Sequence, residues 1–474
     1  MTHFLAPIKR QAQKHWPWWC LYAGAAILLG MAGAWFGSQY LFAGLIALAC
    51  TIVIAFNPVA GMYLLTFFLP FERIGSIDLM GVTIRISQVV AILTIATWCV
   101  RGLWLGSFKF RPYPLLMPLA GFVAVASLAV TNAPNLERSV LVTIFILFTI
   151  GVSVILPSII RHTNQVEKLV TILLISMAVV CLFGIYQFLG DIVGLPTSLT
   201  GLRPQYTKDI LGFPRIQSTA PEPLYFANYL LLPLSITVGL WLSRTSRFKP
   251  VWLLLLVLLG GVNFILTVSR GGYIALAATL GILALVYIKQ LLRPRILIPI
   301  VLCLAVAGGV AYRFLNLTEQ LETYTTHVTN IFGGASYEER VETYTIAERI
   351  WLQHPWIGIG PGSFGPYAAN HPLITPSEGY KIVNNEYIEL LAETGILGLI
   401  CILVMVVMLY VRSWKAIRKT TNPFLRAVLI ALLAAMTGIL VQYNTFSVLY
   451  IMHIWFTIGL MVSIQNIILH GDYQ

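Results

Sequence analysis

Charged side chains are scarce in this chain, 10% of its 474 residues, and several stand where chemistry could be done. Arg215 and Glu222 flank a polar stretch that leads into a long apolar run, and Arg270 lies in the short turn Thr267-Val268-Ser269-Arg270-Gly271-Gly272 between two other runs. Glu386, Glu389 and Glu393 recur at i, i+3 and i+7 where a further run begins, so on a helix they share one face. A guanidinium offers paired N–H donors that match a phosphate, and a carboxyl group can carry a proton. Two readings of Arg270 stand. Gly271 and Gly272 leave the backbone open to a ligand, and a helix starting there offers amides to an anion, or the turn is purely structural. Arg215 is either an interfacial anchor or a ligand-facing cation. The three glutamates point into a cavity or toward an arginine, or they complement the dipole of their own helix.

The elements that must position these groups follow from composition. With 58% hydrophobic residues and less than half the roughly 25% charge of an average soluble domain, the chain is not a soluble globular enzyme. Apolar runs stand near 18–36, 40–56, 58–71, 87–105, 114–131, 137–159, 166–189, 224–243, 250–268, 272–289, 295–313, 387–412, 424–443 and 447–467. About 20 residues cross a bilayer as a helix, so the expected fold is all-α: one polytopic membrane domain over residues 1–474 with about 12–14 transmembrane helices. Asn57-Pro58 separates the second and third runs, because a helix breaks before proline. The six cysteines all lie inside apolar runs, which argues against a disulfide framework or a zinc site. Lys9, Arg10 and Lys14 precede a run too long for a signal peptide, so the first helix is expected to remain uncleaved.

The net charge of +12 reads as topology rather than as nucleic-acid binding, because the basic residues are spread between the spans. With both termini in the cytoplasm, the inner loops take nineteen of the thirty Lys and Arg residues, while all but Glu167 and Asp472 among the acids fall at the outer side. Both long polar segments, 190–223 and 314–386, then lie outside with the Arg270 turn. Three separated pieces of sequence thus converge on one face of the membrane.

In the second segment, Ser336-Tyr337-Glu338-Glu339 reads as a capping box that opens a helix over about 337–353, with Val341, Tyr344, Ala347, Ile350 and Trp351 as its apolar stripe. Arg340 and Arg349 fall on the polar side, and Arg340 is a candidate substrate contact. Gly358-Ile359-Gly360-Pro361-Gly362 follows a helix rather than a strand, so it is a tight loop and not a dinucleotide fingerprint. His371 is a candidate proton carrier in the same segment, and His453 reads as a hydrogen-bonded core residue of the last span.

The Thr267–Gly272 turn, the Arg340 helix leading to His354-Pro355-Trp356-Ile357-Gly358-Ile359-Gly360, and Asn385-Glu386-Tyr387 to Glu393-Thr394-Gly395-Ile396-Leu397-Gly398 resemble the O-antigen ligase and O-antigen polymerase superfamily. With Arg215 through Asn228, the resemblance covers about residues 200–400. It implies a GT-C-like inner-membrane glycosyltransferase of the bacterial cell envelope that acts in polysaccharide biosynthesis. Such an enzyme moves a glycan from a polyprenyl diphosphate, such as undecaprenyl diphosphate, to an acceptor hydroxyl at the periplasmic face. It also implies that Arg215 and Arg270 hold the diphosphate, that no metal or cofactor is required, and that the anomeric carbon inverts. The partners implied are the lipid-linked donor, a lipid or glycan acceptor and membrane lipids, with no nucleic acid. Members commonly carry His-Asn where this chain has Asn384-Asn385, so the catalytic candidates are Asn384, Glu386 and Glu222, with Asn385 and Tyr387 as substrate contacts. The competing readings are a multi-span transporter of small solutes such as inorganic carbon, and an inactive structural homologue.

Overall fold

Lipid cannot satisfy a peptide N–H or C=O, so an apolar run that crosses a membrane must close its hydrogen bonds within itself. The computed structural model describes residues 48–471 apart from 49, 75, 80–81, 105, 107–109, 245–247, 295–334, 370–379 and 448. The expected spans 18–36 and 295–313, and most of 40–56, lie outside the described residues. The chain forms two units, Met1–Asn57 and Pro58–Gln474. Of the first, the described part is mainly a helical stretch over 50–56. The second carries everything below.

Every other expected span is a helix. They are α1 (Pro58–Phe68), α2 (Ile86–Trp104), α3 (Leu116–Ala129), α4 (Leu136–Ile159), α5 (Thr163–Ile192), α6 (Pro223–Ser243), α7 (Pro250–Leu266) and α8 (Arg270–Leu291). The amphipathic helix α9 (Ala335–Gln353) and the short α10 (Phe364–Ala369) come next, and then α11 (Glu386–Lys419), α12 (Pro423–Gln442) and α13 (Met452–His470). Among the described residues, eight helices are long and apolar enough to cross a membrane, and α1, α3 with its 3-10 extension, and α7 are shorter apolar helices. The protein is an all-α, multi-pass membrane bundle. Its one departure among the described residues is a small antiparallel hairpin, β1 (Ile77–Leu79) and β2 (Val82–Ile84), with Asp78 opposite Thr83.

The central helices are α6, α12 and α13, each mostly buried inside the protein, whereas fewer than half of the residues along the spans of α2, α8 and α11 are buried. In lipid, apolar side chains gain little by meeting each other, so helices associate where small residues let backbones close in. Gly239 of α6 meets Ala431 of α12, and Ser235 Oγ donates to the Ala431 carbonyl at 2.6 Å. A side chain at Gly438 would place its Cβ 2.0 Å from Thr279 Oγ1, so α12 closes equally tightly on α8.

The loops gather at two ends of the bundle. At one, Arg73 N donates to Thr219 O at 3.0 Å, Ile216 N to Leu266 O at 3.1 Å and Glu386 N to Tyr443 O at 2.8 Å, and Asn132 Nδ2 donates to Gly358 O at 3.0 Å. At the other, Arg111 N donates to Ser158 Oγ at 3.0 Å and Arg412 Nη2 to Asn466 Oδ1 at 2.7 Å. Among the described residues of this unit, this second, basic end holds loops that the charge pattern groups together. The first end brings together segments 69–86, 130–138, 200–222, 266–270, 354–365, 380–386 and 443–451, and it is where the candidate residues stand.

Helix α9 begins at Ala335, two residues before the sequence-based start. It rests on the first turns of α11, where Ala347, Ile350, Ile359, Phe364, Val383 and Ala392 form a buried apolar cluster. The inward stripe differs from expectation at one position: Val341 is 47% exposed, and Thr343, Ala347 and Ile350 are the buried positions. Spacings of 343, 347 and 350 turn the buried face about one residue away from Val341.

Candidate functional site

The Arg215 loop and the Arg270 turn are joined by backbone. Ile216 N donates to Leu266 O at 3.1 Å, and Arg215 Nε donates to Thr267 O at 3.3 Å, three residues before Arg270. The Arg215 guanidinium lies 5.7 Å from the Tyr206 ring centroid. Burial works against its charge and lowers its pKa; Tyr206, Tyr273 and Glu222 favour the charge, and Arg270 repels it. Arg270 in turn feels the charge of Arg340 on α9. Three of the arginines singled out from the sequence are therefore linked by their charges, Arg215 with Arg270 and Arg270 with Arg340, although they come from three separate segments. Like charges gathered in a partly desolvated place favour a polyanion.

Of the two readings of the turn's glycines, the packing supports the structural one. A Cβ at Gly271 would lie 2.0 Å from Thr445 Oγ1, and one at Gly272 would lie 3.0 Å from Ala227 Cβ. These glycines let α8 seat against the α12–α13 loop and against α6, so they do not open the backbone to a ligand. Ser269 Oγ accepts from Gly272 N at 3.2 Å, which uses one of the amides at the start of α8. What sets Arg270 in place is the residue before this cap: Val268 has φ +48°, a left-handed conformation that a β-branched residue rarely adopts. Strain of that kind persists only where the surroundings enforce it.

Asn385 caps α11, its Oδ1 accepting from Tyr387 N at 3.1 Å and Ile388 N at 3.2 Å. Capping accounts for this side chain. Tyr387 donates its hydroxyl to Leu440 O at 2.7 Å, which ties α11 to α12. Asn384, with φ +57°, sits at the left-handed corner before the cap, a conformation asparagine tolerates. Glu386 is buried at the first turn. Glu222 is exposed at the start of α6, and its charge reaches Arg215, Tyr206 and Tyr225. His371 lies outside the described residues.

The other two glutamates of the α11 face hold backbone. Glu393 accepts from Gly362 N through Oε2 at 2.8 Å and from Phe364 N through Oε1 at 3.0 Å. Glu389 Oε2 accepts from Val383 N at 3.2 Å. Helix α11 breaks at Gly395 (φ +64°), where the chain of Pro355 and Trp356 enters. The amides freed by the break are taken up, Ile396 N by Pro355 O at 2.9 Å and Leu397 N by Trp356 O at 3.3 Å. A Cβ at Gly395 would lie 2.3 Å from the Trp356 carbonyl carbon. The glycine loop 358–362 is thus docked into a notch in α11, with Glu393 as its clasp.

Arg138 was not singled out in the sequence. Its Nε donates to Gly362 O at 2.9 Å, and its guanidinium lies 4.5 Å from the Tyr380 ring centroid. Glu72, Arg73 and Arg85 were also passed over, although they stand at the outer end of the third expected span and in the turn after it, where any charge calls for a partner. Glu72 Oε1 lies 3.6 Å from His453 Nδ1, and both side chains are buried. His453 Nε2 lies 2.6 Å from Asn228 Oδ1, and Asn228 Nδ2 donates to Gln442 Oε1 at 2.8 Å. The reading of His453 as a hydrogen-bonded core residue agrees with this geometry, but it missed the carboxylate. Burial pushes the Glu72 carboxyl up; contact with His453 and the charges of Arg85 and the imidazole outweigh it, and the pKa falls below the ordinary value of 4.5. A depressed carboxyl contributes stability that is full at neutral pH and is lost as pH falls from about 4.5 through its lower folded value. Acid unfolding of the detergent-solubilised protein is therefore expected to shift to higher pH when His453→Leu removes the partner, as followed by tryptophan fluorescence.

No curated protein matches the chain. Residues 254–403 match the family model described as O-Antigen ligase, a stretch that runs from α7 through the Arg270 turn, α9 and the glycine loop into α11. The protein is a multi-pass membrane protein whose residues 254–403 are similar to the O-antigen ligase family.

Proposed function

We propose that the protein is an inverting membrane glycosyltransferase that moves a glycan from a polyprenyl diphosphate to an acceptor hydroxyl, as an O-antigen ligase or a polysaccharide polymerase does. The observation that carries this reading is the bond from Arg215 Nε to Thr267 O at 3.3 Å, which holds Arg215 against the turn that carries Arg270. The acceptor oxygen attacks the anomeric carbon as the bond to the diphosphate breaks, and the diphosphate leaves with the electron pair. Two guanidinium groups, with Arg340 beyond them, stabilise the charge that develops there by paired hydrogen bonds, so the transfer needs no divalent metal. Attack from the side opposite the leaving diphosphate inverts the anomeric carbon. Tyr206 stacks beside Arg215 and restricts where its guanidinium can point. The acceptor enters on the side of Glu222, Asn384 and Glu386. The arginine-bearing end faces the periplasm, and the basic end faces the cytoplasm, in line with the positive-inside rule.

The test compares cells with and without the gene. Loss is expected to build up carrier-bound glycan and to deplete finished surface glycan. Unchanged glycan with altered solute uptake overturns the reading in favour of a transporter, and full transfer by Arg270→Ala overturns it in favour of an inactive homologue.

A further inference from the structure

An arginine at a membrane boundary lays its stem along apolar surface and needs acceptors for its head. At the basic end of the bundle, three arginines from separate segments come together around two side chains. Arg111 donates its backbone N–H to Ser158 Oγ at 3.0 Å, and Arg161 Nε donates to the Ser158 carbonyl at 2.6 Å. One residue in the last turn of α4 therefore holds both. Asn466 of α13 makes the second junction: its Oδ1 accepts from Arg412 Nη2 at 2.7 Å, and its Nδ2 donates to Pro112 O at 2.9 Å. This amide sets the Arg412 guanidinium beside Pro112, the residue after Arg111. Arg161, in the loop between α4 and α5, has its pKa lowered by burial and then by the charge of Arg111.

These bonds use one donor of Arg161 and one of Arg412, and a guanidinium carries five. Arg412 Nε is buried with no hydrogen-bond partner. Positive charge continues along the end of α11, where Arg418 lies 5.0 Å from the Trp414 ring centroid and Lys419 Nζ donates to Leu469 O at 2.9 Å. Exposed aromatic rings stand at the same end. Trp104, 86% exposed, closes α2; Phe110 directly precedes Arg111 and meets Trp98 edge-on at 5.1 Å; Trp414, 55% exposed, lies two residues after Arg412. Rings of this kind settle at the level of the lipid headgroups, which puts the three guanidinium groups at the depth of the lipid phosphates.

We propose that Arg111, Arg161 and Arg412 form a binding site for the headgroup phosphate of an anionic phospholipid such as phosphatidylglycerol. The guanidinium groups donate charge-assisted hydrogen bonds to the phosphate oxygens. A zwitterionic lipid carries a cation beside the same phosphate, and three arginines repel it. A lipid suits the place better than a free phosphate because apolar surface leads away from the cluster: Val100 and Leu103 on α2 and Val407 and Val411 on α11 are exposed and can lie along an acyl chain. The bound headgroup ties the loop at 110–112 to the α4–α5 loop and to α11. The site lies at the end of the bundle away from Arg215 and Arg270, and it stands whether or not the protein transfers glycans.

The test uses the full chain purified in a neutral detergent, titrated with phosphatidylglycerol or phosphatidylcholine in mixed micelles, with retained lipid counted by native mass spectrometry. Wild-type protein is expected to bind phosphatidylglycerol about tenfold or more tightly than phosphatidylcholine. Arg111→Gln and Arg161→Gln are each expected to weaken phosphatidylglycerol binding by about fivefold, and the double variant by about 25-fold, with phosphatidylcholine unaffected. Equal affinity for the two lipids overturns the proposal, and so does wild-type affinity in both single variants. Inorganic phosphate in excess at constant ionic strength is expected to leave the lipid bound; displacement marks a site for the free ion and overturns the lipid assignment. Lys381→Gln, at the other end of the bundle, is expected to bind as wild type does. A loss as large as that in Arg111→Gln would mark diffuse attraction to charge and overturn the proposal. If Arg161→Gln does not accumulate, having lost its bond to Ser158, Arg111→Gln decides, because it keeps the backbone bond to Ser158: wild-type affinity in it overturns the proposal.

Discussion

Arg270→Ala and Arg215→Ala are each expected to slow glycan transfer by about 10²–10³-fold, the usual cost of removing one donor that faces developing negative charge. The leaving diphosphate gains charge as the glycosidic bond breaks, and a guanidinium placed beforehand stabilises it with little reorganisation. Arg215 is held by the Thr267 carbonyl and the Tyr206 ring, so its fork is ready before substrate arrives. Arg270 is set by the left-handed Val268 and the Ser269 cap. Lysine restores the charge but not the paired hydrogen bonds, so Arg270→Lys should recover only part of the rate. The double alanine variant should lose less than the product of the single losses, because the two side chains act on one group. Transfer is read as the ratio of carrier-bound to finished glycan, with protein amount measured in the same membranes. Rates within about twofold of wild type for both alanine variants would remove the diphosphate site.

Glu393→Ala is expected to be the most destabilising single change at this end of the protein, by roughly 3–5 kcal/mol. The side chain is 8% exposed and accepts from two backbone amides, Gly362 N and Phe364 N, through both oxygens. Alanine removes both bonds and leaves two N–H groups without partners, each at a cost of about 1–3 kcal/mol. It also frees the loop that Arg138 holds from the other side through Gly362 O. By contrast, the Lys381–Glu342 ion pair at 3.1 Å is half exposed on both sides, and Glu342→Ala should change stability by about 1 kcal/mol or less. The contrast is measurable as thermal unfolding in detergent together with proteolysis across residues 354–365. Glu393→Gln keeps one good acceptor oxygen and should fall between. A Glu393→Ala protein as stable as wild type would show that the loop holds itself in place.

The residues of the candidate site stood out in the sequence because their signals are local. Arg215, Arg270 and Arg340 stood out as charges beside apolar runs, and the charge bias of the loops placed their segments at one end of the bundle. The roles of neighbouring residues were less legible. Gly271 and Gly272 read either as open backbone or as a structural turn, and only the fold shows that Thr445 and Ala227, far away in the chain, occupy that space. Asn385 read as a substrate contact, and its side chain is engaged in the cap. The i, i+3, i+7 spacing of Glu386, Glu389 and Glu393 correctly put the three on one face, but spacing says nothing about what lies opposite, and for Glu393 that is the glycine loop. Glu72 could have been noticed by the same rule that singled out Arg270, since it follows directly on an apolar run. His453 could not be given its carboxylate, because nearly the whole chain separates them.

The sequence by itself determined the number, order and alternation of the helices in the described chain, since a helix in lipid closes its own hydrogen bonds and its length is set by the bilayer. It also determined which loops share an end, through the distribution of Lys and Arg. Only the tertiary structure decided which side chains meet there: Arg215 with the Thr267 carbonyl, Glu393 with the amides of Gly362 and Phe364, Glu72 with His453. Those pairings depend on how helices with small-residue contacts settle against one another, and the periodicity of one helix carries no information about the face that its neighbour presents.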